Sequence, residues 1–172
     1  MKKYEFTGET KKVELFFRTV TLHRIRATVA FGLVEVGELG GWIEKEENLS
    51  HDGKAWVCGD AKVWGNAKVW GNAKVCGDAE VWGNAEVFSA SHVLVIGAIG
   101  SRNDFTTFYR DKDNEITVKC GCFLGKIDKF LQKVTETHGD SKYALVYRAA
   151  VEVAKLQIDL SGEAPKEEDG AE

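Results

Sequence analysis

From Ala55 the chain reads AWVCGD, AKVWGN, AKVWGN, AKVCGD, AEVWGN, AEVFSA and SHVLVI, seven six-residue units without a gap. Repetition of this kind constrains the fold more than composition does, because each unit must bury its apolar face against its neighbours. Ala or Ser leads each unit and Val stands third, at Val57, Val63, Val69, Val75, Val81, Val87 and Val93. A helix would need apolar positions at a period near 3.6. Period two within a unit instead sets Ala and Val on one face of a short strand. Gly followed by Asn or Asp supplies the turn, since these residues tolerate unusual backbone angles.

A second period runs through the remaining positions. Cys58 and Cys76 are eighteen apart, as are Trp64 and Trp82, and Trp70 and Phe88. Lys62 and Lys68 meet Glu80 and Glu86 at the same offset. If three units make one turn, each pair is vertical at a strand spacing of about 4.8 Å, where rings stack and Lys faces Glu.

The units at 55–96 resemble the left-handed parallel β-helix of the hexapeptide-repeat family. Ile43 and Leu49 continue the pattern upstream, with a two-residue slip at His51–Gly53. The fold expected is mainly β: a short left-handed parallel β-helix of about three coils, with an N-terminal β cap and a C-terminal α+β module. The handedness is what the resemblance implies.

The flanks divide the chain further. Residues 1–38, with KKVELFFRTVTLHRIRATV alternating as one or two strands, are expected to cap the coils at 39–96, since bare solenoid ends expose strand edges. Residues 97–160 carry a strand pair, Phe105–Arg110 and Ile116–Phe123, joined by DKDN. Gly125 then opens a helix through about His138, with Ile127, Phe130, Leu131 and Val134 on one face. Gly139 stops it, and Asp140 or Ser141 caps a second helix carrying Tyr143, Val146, Tyr147, Ala150, Ala154 and Ile158. Residues 161–172 are polar and acidic and are expected to be disordered. LHRIRATVAFGLVEVGELGGWIEKEENLSHDG, IGSRNDFTTFYRD, VKCGCFLGKIDKF and THGDSKYALVY look like a group of phage and prophage hexapeptide-repeat proteins. That resemblance covers nearly the whole chain and implies a viral or prophage setting, with no established activity.

Composition excludes several classes. The net charge of -4 argues against non-specific nucleic-acid binding, which rests on dense Lys and Arg. No stretch approaches the roughly 20 apolar residues needed to span a bilayer, and MKKYEFTGET lacks a signal-peptide core. A cytoplasmic location is expected, the host cytoplasm if phage-encoded, with the four cysteines reduced.

Four groups of residues bear on function. Hexapeptide-repeat relatives imply an acyltransferase that uses acetyl-CoA, with a general-base His at a trimer interface. His92, in the last clear coil, is the candidate catalytic residue here, although it also fits a surface or cap role. Cys120 and Cys122 offer two sulfurs on one strand face, short of the four ligands of a structural zinc, so no metal is assigned. Ser101, Arg102, Asn103, Thr106, Thr107, Tyr109 and Arg110 gather guanidinium forks, hydroxyls and a stacking ring, a set suited to a nucleotide-like or anionic ligand. The same residues also fit a loop and edge strand with a solvated polar face. Trp64, Trp70, Trp82 and Phe88 are expected to point outward and to form an oligomer interface, in a homo-trimer or dimer.

Binding is favoured over catalysis. The leading expectation is a non-enzymatic, oligomeric, phage-type binding protein without a cofactor, an anti-defence factor that sequesters a nucleotide-like or anionic ligand or blocks a host protein. The alternatives are an acetyl-CoA-dependent acyltransferase and a structural assembly protein.

Overall fold

The computed structural model describes residues 1–163. Of the tail expected to be disordered, residues 164–172 therefore lie outside the described residues.

The chain opens with an antiparallel hairpin, β1 (Tyr4–Glu14) and β2 (Thr19–Ala27), whose register runs from Tyr4↔Ala27 to Glu14↔Thr19. Its tip is closed by Leu15 N–H donating to the Arg18 carbonyl at 2.8 Å. A third strand, β3 (Leu39–Ile43), pairs antiparallel with β2. The repeat then supplies two-residue strands: β4 (Trp56–Val57), β5 (Lys62–Val63), β6 (Lys68–Val69), β7 (Lys74–Val75), β8 (Glu80–Val81) and β9 (Glu86–Val87).

Residues eighteen apart pair in parallel: Trp56↔Lys74, Lys62↔Glu80 and Lys68↔Glu86. Upstream of His51–Gly53 the offset becomes twenty, as Ile43↔Val63 and Leu49↔Val69. The two-residue slip absorbs the difference. Inside lie Ala55, Ala61, Ala67, Ala73, Ala79 and Ala85 with Val57, Val63, Val69, Val75, Val81 and Val87, all buried. Each buried Val contributes roughly 1.5–3 kcal/mol relative to an exposed one.

After a short 3-10 turn at Ala90–His92 the chain builds an antiparallel sheet, β10 (Val93–Ile99), β11 (Asp104–Arg110), β12 (Ile116–Cys120) and β13 (Phe123–Lys126). Two helices follow, α1 (Ile127–His138) and α2 (Lys142–Gln157), the second with Ser141 as its N-cap. They cover one face of the sheet, where Phe108, Val118, Phe130, Val134, Tyr147, Val151 and Ile158 form a separate core.

This corrects the architecture expected from the repeat. In place of a mainly β chain organised as a left-handed parallel β-helix, the fold is mixed. It has a five-stranded mixed sheet, a four-stranded antiparallel sheet, two two-stranded sheets and two helices. The physical reason is the length of the repeat strands. Two residues per strand sustain only short ladders, and one ladder is absorbed into the sheet begun by β1 and β2. The long strands elsewhere pair antiparallel. β10 also runs through the boundary expected between 96 and 97.

Two local expectations change as well. Cys58 and Cys76, expected as reduced thiols, are joined by a disulfide. The segment 116–123 is not one strand, because the chain turns at Gly121–Cys122 between β12 and β13. Cys120 is therefore half-buried towards the helices while Cys122 is exposed, and the two sulfurs do not share a face.

Candidate functional site

The main cavity is a cleft of about 960 Å³ where three parts of the chain meet. The β1–β2 hairpin tip brings Phe16, Phe17 and Arg18. The ladder of β5 and β8 brings Lys62, Trp64, Glu80 and Trp82. The antiparallel sheet brings Phe105, Thr107, Lys119 and Leu124.

Two contacts dock the sheet against the ladder and so fix the cleft. Tyr109 Oη donates to the Trp82 carbonyl at 2.9 Å, and Thr107 Oγ1 accepts from Glu80 N–H at 3.1 Å. The ladder itself stacks Trp64 on Trp82, with centroids 5.5 Å apart and planes at 20°. Trp64 is fully buried against Val20, Leu22 and Trp42. The indole N–H groups of Trp64 and Trp82 are both buried without a hydrogen-bond partner. Unpaired buried donors are costly, and Trp56 and Trp70 carry the same feature outside the cleft.

Beside the indoles lies a charge network. Lys62 Nζ is 2.8 Å from Glu80 Oε1, and Lys119 Nζ is 3.1 Å from Glu80 Oε2 and also donates to the Gly121 carbonyl. Burial opposes ionisation of Glu80, but the Lys62 hydrogen bond and the Lys119 charge outweigh it and hold the carboxyl below its ordinary range. At this point of the floor two ammonium groups face one carboxylate, while Arg18, Glu14, Asp78 and Asp104 are the other charged residues of the lining. At the rim, Phe16 and Phe17 are 96% and 93% exposed.

The cluster expected at 101–110 is divided by strand alternation. Thr107 faces the cleft, and Tyr109 lies in the core beneath it. Thr106 turns the other way, donating to Cys120 Sγ at 3.3 Å. Arg110 is buried away from the cleft, its guanidinium 4.6 Å from the Phe88 centroid and its Nη2 donating to the Gly162 carbonyl at 2.6 Å. Ser101, Arg102 and Asn103 are exposed in the β10–β11 turn. Of these, Arg102 reaches the cleft edge, its Nη1 2.7 Å from where a Cβ on Gly121 would stand.

The aromatic residues expected as an exposed interface are placed differently. Trp64 is buried by the N-terminal strands, and Trp82 is half-buried in the cleft. Trp70 and Phe88 are half-buried edge to face, at 5.4 Å, with Arg110 over Phe88. The chain's own segments thus cover much of this surface.

His92 is buried beside Phe88, its Nδ1 accepting from the Phe88 N–H at 3.4 Å. Burial and then the Arg110 charge hold its imidazole below the ordinary range, against the pull of Asp159. Among the described residues no histidine lines the cleft. Asp111, Asp113 and Glu115 gather within reach of one cation. That place is taken by the Lys126 ammonium, which pairs with Asp111 and lies 2.6 Å from Glu115 Oε2.

The hairpin-tip residues and the indole–lysine floor were missed in the sequence. The adjacent Phe16-Phe17 pair in a short turn was the available signal, since two large rings there have no strand face to bury against. Among the described residues no helix is long and apolar enough to cross a membrane. No protein-family model matches the chain, and no curated protein matches it.

Proposed function

We propose that this chain is a non-enzymatic binding protein whose recognition site is the cleft between the hairpin tip, the Trp64–Trp82 ladder and the antiparallel sheet. The ligand chemistry that fits is a flat apolar group joined to an acceptor-rich anion, as in a nucleotide. The observation that carries this reading is the grouping of Phe16, Phe17, Trp82 and Phe105 with Arg18, Lys62 and Lys119 around one cleft. Trp82, Phe105 and the rim phenylalanines supply apolar surface, and Arg18 and Lys119 supply charge for an anionic end. The cleft volume lies at the upper end of the range for small-molecule sites. The acyltransferase reading rests on His92 as its base, and His92 is buried outside the cleft. In the phage-type setting that the sequence resemblance implies, such a protein sequesters a host nucleotide signal.

Trp82 makes the test direct. Titrating linear and cyclic nucleotides against tryptophan fluorescence should give a saturable change with at least one of them. Phe105→Ala and Arg18→Ala should weaken that binding by about tenfold each, while Arg110→Ala, outside the cleft, should leave it unchanged. No saturable change with any nucleotide would overturn the proposal, as would binding indifferent to both cleft variants.

A further inference from the structure

α2 has two apolar faces. Ala144, Tyr147, Ala150, Val151 and Ala154 point into the core and are buried. On the opposite side Leu145, Val146, Val153 and Leu156 are exposed, Leu156 to 89%, together with Ala149. Val146, Ala149, Val153 and Leu156 follow the 3-4-3 spacing that sets side chains in line for a partner helix. A contiguous apolar stripe on an exposed helix marks an interaction surface.

We propose that this stripe pairs two copies of the chain, with their α2 helices antiparallel about a two-fold axis. Charge selects both the occupant and the direction. Lys142 lies on the same face at the start of the helix, and no carboxylate pairs with it among the described residues. Parallel pairing would set two Lys142 ammonium groups against each other. Antiparallel pairing sets each beside the carbonyl end of the partner's helix, which carries partial negative charge, and near Asp159 just beyond it. The same arrangement places Ala149 opposite Val153 and Val146 opposite Leu156, small against larger. A stripe that complements itself when reversed is the requirement of an isologous dimer. No residue of α2 lines the cleft, so this inference stands apart from the binding proposal.

Sedimentation of the full chain tests it. The wild-type chain should show a concentration-dependent dimer. Val153→Glu and Leu156→Glu should each weaken association by about a hundredfold. The circular dichroism spectrum should remain, because both side chains are solvent-exposed within the chain. Lys142→Ala should weaken the dimer several-fold. A monomer at every concentration, a trimer, or a dimer indifferent to both Glu variants would overturn the proposal. Tightening on Lys142→Ala would overturn the antiparallel pairing by revealing two opposed lysines. A dimer that dissolves on Phe16→Ala but survives Leu156→Glu would move the interface to the hairpin tip and equally refute it.

Discussion

In the repeat, Val63 meets Val81 and Val69 meets Val87, each residue paired with its own equivalent eighteen positions on. In the antiparallel sheet, Phe108 meets Val118 on one side and Leu94 on the other, and its face is then closed by Phe130 from α1. The first arrangement needs one spacing rule applied again and again. The second needs three reversals of the chain and a helix returning across them. The repeat is accordingly cheap to encode and tolerant of identical units, while the sheet draws on residues that share no pattern. The cleft forms where the two meet. Its indole floor comes from the repetitive part and its Thr107, Lys119 and Phe105 from the other.

That contrast is sharpened first through the disulfide. Cys58–Cys76 ties two equivalent positions of the repeat across an eighteen-residue separation, whereas Cys120 and Cys122 in the sheet are free. Replacing both Cys58 and Cys76 with Ser should cost about 3 kcal/mol in urea unfolding under oxidising conditions. Cys122→Ser, at an exposed position, should stay within about 0.5 kcal/mol. Equal effects would show that the covalent link does nothing particular for the repeat.

Backbone turns give a smaller effect. Gly53 has φ +65, and a Cβ there would lie 2.6 Å from the Gly71 carbonyl oxygen in the next turn of the repeat. Gly139 at the end of α1 has φ +56 with nothing within 4 Å. Gly139→Ala should cost roughly 1–2 kcal/mol from conformation alone, its ψ of −122 lying outside the left-handed helical well. Gly53→Ala should cost more, roughly 2–3 kcal/mol, because overpacking is added to the conformational cost. Equal costs in thermal unfolding would remove the close stacking claimed for the repeat.

The smallest effect is one of pH at the seam between the regions. His92, buried beside Phe88 and near Arg110, resists protonation in the folded chain. The unfolded state therefore binds more protons once pH falls below the free histidine value near 6.5. Stability is full above that value and declines as pH drops from about 7 to about 5. His51, also held low, first by burial, shares the direction. His92→Gln should flatten part of the decline in urea midpoints over this window, and an unchanged slope would count against a neutral, buried His92.

The sequence made much of the repeat legible and little of the cleft. The inward Ala and Val positions and the Lys62↔Glu80 pairing follow from a period visible by eye, because parallel stacking turns spacing directly into contact. The flanking helices are legible from their Gly139 and Ser141 ends, but the α2 stripe only in part: Tyr147, Ala150, Ala154 and Ile158 are buried, whereas Tyr143 and Val146 are exposed on the outer side. The residues at 101–110 look like one cluster because they are adjacent in sequence. Alternation along β11 sends Thr107 and Tyr109 to one side and Thr106 and Arg110 elsewhere, a split that period two already contained.

By itself, the sequence determined local pairing: which residues turn, which alternate, and which repeat at six and eighteen. Only the tertiary structure decided what covers what. Trp64 is buried because β2 and β3 fold over it, and Phe16 reaches Leu124's neighbourhood because a hairpin and a distant sheet converge on one ladder. Alternation states that a strand has an apolar face, but not which surface that face will meet. The cleft is made of such meetings between segments far apart in the chain.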